Sequence, residues 1–283
     1  MKPFLGIDIT NNKKNDRENG DTFAVATASY AHTRMLDNAN QNAAEMEKRA
    51  KLPLPLRILY YISGFLGATF AIGLLRAMSS VTLNEAYGNA PWVFWICGVC
   101  LAIFVPLSIL TYRTKKKVSQ SKEANTTETT LENAIQSIYT EFEVPANAKN
   151  VDVLTFYYKT NNEKIVAKAK GMMPEYINYE MKAYVSEDTL YLVGLEKKYA
   201  FALSSLRTIR TVKKTVFLPY WHKELVPQDK AYKLDVNNMG WVFTGQYHIL
   251  SLEHNGEEWG IYFPCYELSA MEALTGLHAE PIK

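Results

Sequence analysis

Two apolar runs, Ile58–Met78 and Trp92–Tyr112, interrupt an otherwise mixed pattern of polar and hydrophobic positions, with a short polar loop between them. Each is about the 20 residues that a helix needs to cross a hydrocarbon core of roughly 30 Å. The pattern predicts a membrane protein with two spans and water-facing flanks.

Outside the spans the periodicity changes. Phe4–Thr10 and Thr22–Ala28 read as short strands, paired as a hairpin across the polar stretch Asn11–Asp21. Helix-favouring residues run from about Thr33 to Lys51, and Pro53 and Pro55 are expected to stop that helix. A two-stranded hairpin alone is marginal in water, so this one is expected to dock on the larger C-terminal domain. Thr129, with Glu132 three residues on, has capping-box spacing. Leu131, Ala134, Ile135, Ile138, Tyr139 and Phe142 then follow as one apolar helical face that ends at Pro145.

The remainder is β-rich. Val151–Tyr158, Ile165–Lys170, Tyr179–Val185, Thr189–Val193, Lys198–Leu203 and Leu206–Val212 are short, β-branched or aromatic, and separated by turn residues. Tyr247–Glu253 and Glu257–Phe263 flank His254-Asn255-Gly256 as a hairpin, and Tyr266–Thr275 reads as a final helix stopped by Gly276. The predicted fold class is α+β, a two-helix transmembrane hairpin plus a small antiparallel β-barrel or sandwich capped by a C-terminal helix. Four segments result: an N-terminal cytoplasmic hairpin and helix (1–57), the transmembrane hairpin (58–112), a basic stop and linker (113–129), and a cytoplasmic helix plus β domain (130–283).

Charge sets the expected orientation. Lys48, Arg49, Lys51 and Arg57 precede the first run, and Arg113, Lys115, Lys116 and Lys117 follow the second. The loop Ser79–Pro91 carries Glu85 and neither Lys nor Arg. Such flanks are retained inside, which predicts a multi-pass plasma-membrane protein with both termini cytoplasmic. No early apolar region precedes the first run, so that run is expected to be its own insertion signal. The formal net charge of +2 gives no reason to expect nucleic acid as a partner. Three cysteines, Cys97, Cys100 and Cys265, make no disulfide framework.

The strand order with its closing helix resembles the pleckstrin-homology and GRAM-like superfold, most closely over Thr189–Val193 and Tyr199–Ile209. The whole arrangement also resembles a group of bacterial two-span membrane proteins, through Phe4-Leu5-Gly6-Ile7-Asp8 and Asn255–Leu268. The resemblance implies an architecture and no activity, because sites are grafted onto folds.

Candidate chemistry is sparse. In the first span Ser63, Gly67 and Ala71 form a small-residue ridge, and Gly98, Ala102 and Pro106 do so in the second. Small faces let helices pack closely in lipid, either within the chain or between copies. Cys97-Gly98-Val99-Cys100 has the spacing of a thiol redox pair; the alternative is small residues in a packed span. His222, His248, His254 and Cys265 show no metal-ligand spacing, and no cofactor is expected. A basic and aromatic patch, Arg207, Arg210, Lys213 and Lys214 with Tyr220, Trp221 and Lys223, suits an anionic headgroup or a protein partner. Against a lipid surface, residues 118–283 carry 17 Lys/Arg and 21 Asp/Glu. The expected function is a membrane-anchored binding or scaffold module without catalysis, whose partners are the bilayer and another protein or itself. The alternatives are a membrane thiol oxidoreductase using Cys97 and Cys100, and an inner-leaflet lipid sensor.

Overall fold

The helices are α1 (Tyr30–Arg49), α2 (Leu54–Ala77), α3 (Leu83–Asn89), α4 (Pro91–Ser119) and α5 (Lys122–Glu141); α2 and α4 follow the two apolar runs, whereas α3 lies in the stretch expected to be a polar loop. The structure is a computed structural model describing residues 1–9, 18–77, 83–161, 164–168, 175–218, 234–236 and 242–280. It forms two compact units, Met1–Thr33 with Gln136–Lys283, and Arg34–Ile135.

In the helical unit, α2 and α4 are long and apolar enough to cross a membrane. Tyr60 stacks on Phe104 with ring centroids 4.9 Å apart, and Phe70 meets Trp92 edge-on at 6.1 Å. Contacts that climb α2 descend α4, so the two helices run in opposite directions. A Cβ at Gly64 would sit 2.8 Å from the Phe104 ring, and one at Gly67 would sit 3.3 Å from Cys100 Cβ. Ser63 is buried, with its hydroxyl on the Tyr60 carbonyl. The small ridges are only half in this seam. Ala71, Gly98 and Ala102 are exposed, and a Cβ at Gly98 would meet nothing within 4 Å. The face of α4 turned to α2 is instead that of Cys97, Cys100, Phe104 and Leu107.

Two helix boundaries differ from expectation. Pro55 does not stop α1 but lies in the first turn of α2, where its missing N–H goes unneeded. Thr129 is not a cap: its hydroxyl bonds the Asn125 carbonyl inside α5. The cap is Ser121, whose Oγ accepts the Ala124 amide at 3.1 Å. Most of the expected linker 113–129 is therefore helical.

The other unit is a curled, mixed β structure. Before the helices come β1 (Lys2–Pro3), β2 (Gly6–Asp8) and β3 (Ala24–Thr27); after them come β4 (Lys149–Asn161), β5 (Lys164–Ala167), β6 (Tyr176–Ser186), β7 (Thr189–Val193) and β8 (Lys197–Ala202). A 3-10 corner at Leu203–Ser205 leads to β9 (Leu206–Val212), β10 (Val216–Leu218), β11 (Leu234–Val236), β12 (Val242–Thr244), β13 (Tyr247–His254), β14 (Glu257–Pro264) and helix α6 (Leu268–Thr275). One sheet has the order β2-β4-β6-β7-β8-β3 with β5 on β4, a second the order β1-β14-β13-β9, and a small third β10-β12-β11.

The N-terminal strands do not form the expected hairpin. β1 lies parallel on β14, β2 parallel on β4, and β3 antiparallel on β8. Lys2–Asp8 thus bridges the two larger sheets, and Phe4 and Leu5 between its two short pairings are 0% and 1% exposed. Phe4 meets Tyr199 at 4.8 Å and Phe201 at 5.0 Å edge-on, a favoured aromatic geometry. Around it the core collects Val151, Val153, Leu190 and Leu192 from one sheet, Ile209, Leu250, Ile261 and Phe263 from the other, and Met271 from α6. A second apolar layer holds Leu154, Phe156, Tyr176, Val216, Tyr247, Ile249 and Tyr266. Two strands have their outer sides covered. β3 covers β8, while Ala279 bridges Ile209 on β9 and the Glu280 amide donates to the Ile209 carbonyl at 2.9 Å.

Candidate functional site

The basic patch begins on β9. Against β13 that strand carries a bulge: Ile209 faces Leu250 but Leu206 faces Leu252, giving β9 one extra residue. The slip lets Leu206 and Ile209 both point inward and brings Arg207 and Arg210 out together. The Ser251 hydroxyl accepts the Thr208 amide at 3.2 Å and so satisfies the bulge.

Outside, the cations are compensated. Arg207 pairs with Glu253 and Arg210 with Glu258, both at 2.9 Å, and Lys214 pairs with Glu175 at 2.8 Å. Glu253 and Glu258 are themselves cross-strand neighbours on β13 and β14. Exposed pairs of this kind add little stability, but they cancel the field that would attract an anionic surface. Lys213 is exposed and has no ion-pair partner among the described residues. Tyr220, Trp221 and Lys223 lie outside the described residues.

Cys97 and Cys100 are buried free thiols, and Cys100 backs onto Gly67. Cys265 is buried with Sγ 3.2 Å from Thr244 Oγ1. Among the described residues no group of three His, Cys, Asp or Glu is placed to hold a metal ion. His248, 2% exposed, stacks on Phe263 and places Nδ1 3.1 Å from Thr211 Oγ1; burial pushes its pKa down. His254 rests on Phe23, and His222 is outside the described residues.

The most organised polar group was not foreseen. Asp152 on β4, 3% exposed, accepts hydrogen bonds on Oδ2 from Asn178 Nδ2 at 2.6 Å and from the Tyr266 hydroxyl at 2.7 Å. Glu267 Oε1 accepts the Asp152 amide at 3.1 Å. Burial pushes Glu267 up to about 7; the Asp152 and Glu180 charges add to this, while the Asp152 amide opposes it. Burial also drives the Tyr266 phenol far above its ordinary value, with the Asp152 charge acting in the same direction. The network fastens the turn before α6 onto the first long strand of the domain.

No protein-family model, curated protein or solved structure matches the chain. The chemistry of the residues is therefore what bears on function. Asp152 did leave a signal in the sequence: in Val151-Asp152-Val153-Leu154 the neighbours on both faces are apolar. A strand covered on both sides buries its acid, and a buried acid needs donors. The donors, Asn178 on β6 and Tyr266 in the turn before α6, lie far along the chain from Asp152, and no local pattern connects them.

Proposed function

We propose that the protein is a membrane-anchored binding or scaffold module, in which α2 and α4 form a transmembrane hairpin and the β unit is pleckstrin-homology-like. The observation that carries this reading is the split construction of the β unit, which takes β1–β3 from before the apolar helices and β4–β14 from after them. A chain that crosses a bilayer twice between two parts of one domain keeps both parts on one side. The flanking Lys and Arg make that side the cytoplasm of a plasma membrane. The order β4, β6, β7, β8, a corner, then β9, β13, β14 and α6 supports the superfold reading.

Binding, in place of catalysis, is supported by how the polar groups are spent. Asp152, Asn178, Tyr266 and Glu267 bond one another, and three of the four β9-region cations pair with carboxylates. Cys97 and Cys100 have a packing role in the α2–α4 seam. Because residues 279–280 cover the outer side of β9 at Ile209, a partner docks there on a side-chain surface and not by adding a strand.

The test is photo-cross-linking of the full chain in its native membrane, from exposed Glu187 and Lys213 and, as a control, from Gly88 between the spans. A discrete adduct from the first two positions and none from Gly88 is expected. The absence of any protein adduct from Glu187 and Lys213 overturns the module reading.

A further inference from the structure

Headgroup chemistry finds a better place than β9. Where α4 leaves its apolar stretch, Arg113, Thr114 and Lys117 line a groove of about 480 Å³ with Arg49 of α1 and with Ser121 and Glu123 at the start of α5. All of these residues belong to the helical unit. Arg113 and Lys117 are four residues apart and share one face of α4.

Charge distinguishes this groove from the β9 patch. Arg49 pairs with Glu123 at 3.0 Å and reaches Glu45 at 4.0 Å. Arg113 and Lys117 have no carboxylate partner among the described residues. Three cations therefore face the one carboxylate in the lining, Glu123. The apolar run ends at Tyr112, one residue before Arg113, which is the depth at which hydrocarbon gives way to headgroups.

We propose that this groove binds the phosphate of an anionic phospholipid headgroup. The inference rests on the reading that α2 and α4 cross a bilayer. The planar fork of Arg113 matches two phosphate oxygens at once, and Lys117 adds a mobile point charge from the same face. Arg49 supplies a third donor held in place by Glu123. Basic grooves beside membrane helices recognise headgroups in this way, in contrast to the diffuse attraction exerted by any basic segment. Lys115 and Lys116 separate the two cases: they carry the same charge at the same depth but do not line the groove.

The full chain, purified in neutral detergent and delipidated, is titrated with phosphatidylglycerol or phosphatidylcholine and the bound lipid is read by native mass spectrometry. The expected result is at least a tenfold preference for phosphatidylglycerol, lost in Arg113→Gln/Lys117→Gln and kept in Lys115→Gln/Lys116→Gln. Equal loss in both double variants, or no preference in the parent, overturns the site. Inorganic phosphate competing as well as short-chain phosphatidylglycerol overturns the lipid as occupant in favour of the free anion. Carbonate extraction separates the two readings. Release of the chain from membranes overturns the two-span anchor itself, whereas retention without headgroup preference overturns only the groove.

Discussion

The Phe4 amide donates to the Gly260 carbonyl at 2.7 Å, joining the N-terminal segment to the penultimate element of the β unit. Close approach is possible because Gly260 has no side chain: a Cβ there would sit 2.8 Å from Ile249 Cγ2. Gly6 does the same on the other side, where a Cβ would sit 2.8 Å from the Tyr158 ring. Between these two glycines the chain drops Phe4 and Leu5 into the core.

Phe4→Ala is therefore expected to destabilise the β unit by about 3–5 kcal/mol, the usual loss for a fully buried phenylalanine. Lys2→Ala, which removes the exposed pair with Glu257 and the ammonium's place over the Trp259 ring, is expected to cost only about 1 kcal/mol. Thermal unfolding of the full chain in detergent checks both. Equal and small effects would mean that the N-terminal segment is not part of the core.

Glu267, whose carboxyl pKa is raised by burial, is expected to make the stability of the fold depend on pH. Its carboxyl titrates near 7 in the folded chain and near its ordinary value of 4.5 when unfolded. The folded state thus holds a proton that the unfolded state releases, so this contribution is fully present below about pH 4.5 and is lost as pH rises to about 7. The loss totals about 3 kcal/mol, at roughly 1.4 kcal/mol per unit. Glu267→Gln keeps an acceptor for the Asp152 amide and should gain on the parent steadily across that window. A stability difference that does not change between pH 4.5 and 7.5 would refute the assignment.

Topology makes a third expectation. Single cysteines at Lys2 and Glu187, introduced over a background whose native thiols are buried, should react with a membrane-impermeant maleimide from the same side of sealed vesicles. One at Glu85 should react from the opposite side. Opposite reactivity of Lys2 and Glu187 would contradict a β unit assembled from both ends.

Packing in the helical unit predicts an asymmetry between two glycines. Gly67→Leu places its side chain against Cys100 and should destabilise the α2–α4 pair by about 1–3 kcal/mol, the ordinary range for overpacking. Gly98→Leu meets open space and should change stability little. Steric trapping in bicelles would measure both. Equal losses would place Gly98 at an interface after all.

Local periodicity carried much of this fold. The β13–β14 hairpin was legible because Asn255 and Gly256 both take positive φ, 51° and 76°, as a two-residue turn of the favoured hand demands. The end of α6 was legible because Gly276 sits at φ 70° in a left-handed cap. What failed depended on partners far along the chain. Phe4–Thr10 read as half a hairpin since alternation reports a strand but not its neighbour; β2 within it pairs in parallel with β4, and β1, just before it, pairs in parallel with β14 on another sheet. Thr129 matched a cap by spacing alone, while Lys122-Glu123-Ala124 upstream already favours helix behind Ser121. The Gly98–Ala102 ridge was real as a pattern, but the sequence does not say which face of α4 turns to α2. The β9 patch looked basic because its carboxylates, Glu175, Glu253 and Glu258, are remote in sequence.

The bridge made by Lys2–Asp8 has a consequence for biogenesis. Lys2 meets Glu257 across 255 residues. At roughly 5–20 residues synthesised per second, the first strand waits about 13–50 s for its partner to leave the ribosome. During that interval Phe4 and Leu5 lack most of their core, and both apolar helices are synthesised before it is complete. A chain that stops anywhere before β14 leaves β1 and β13 without the strand that joins them.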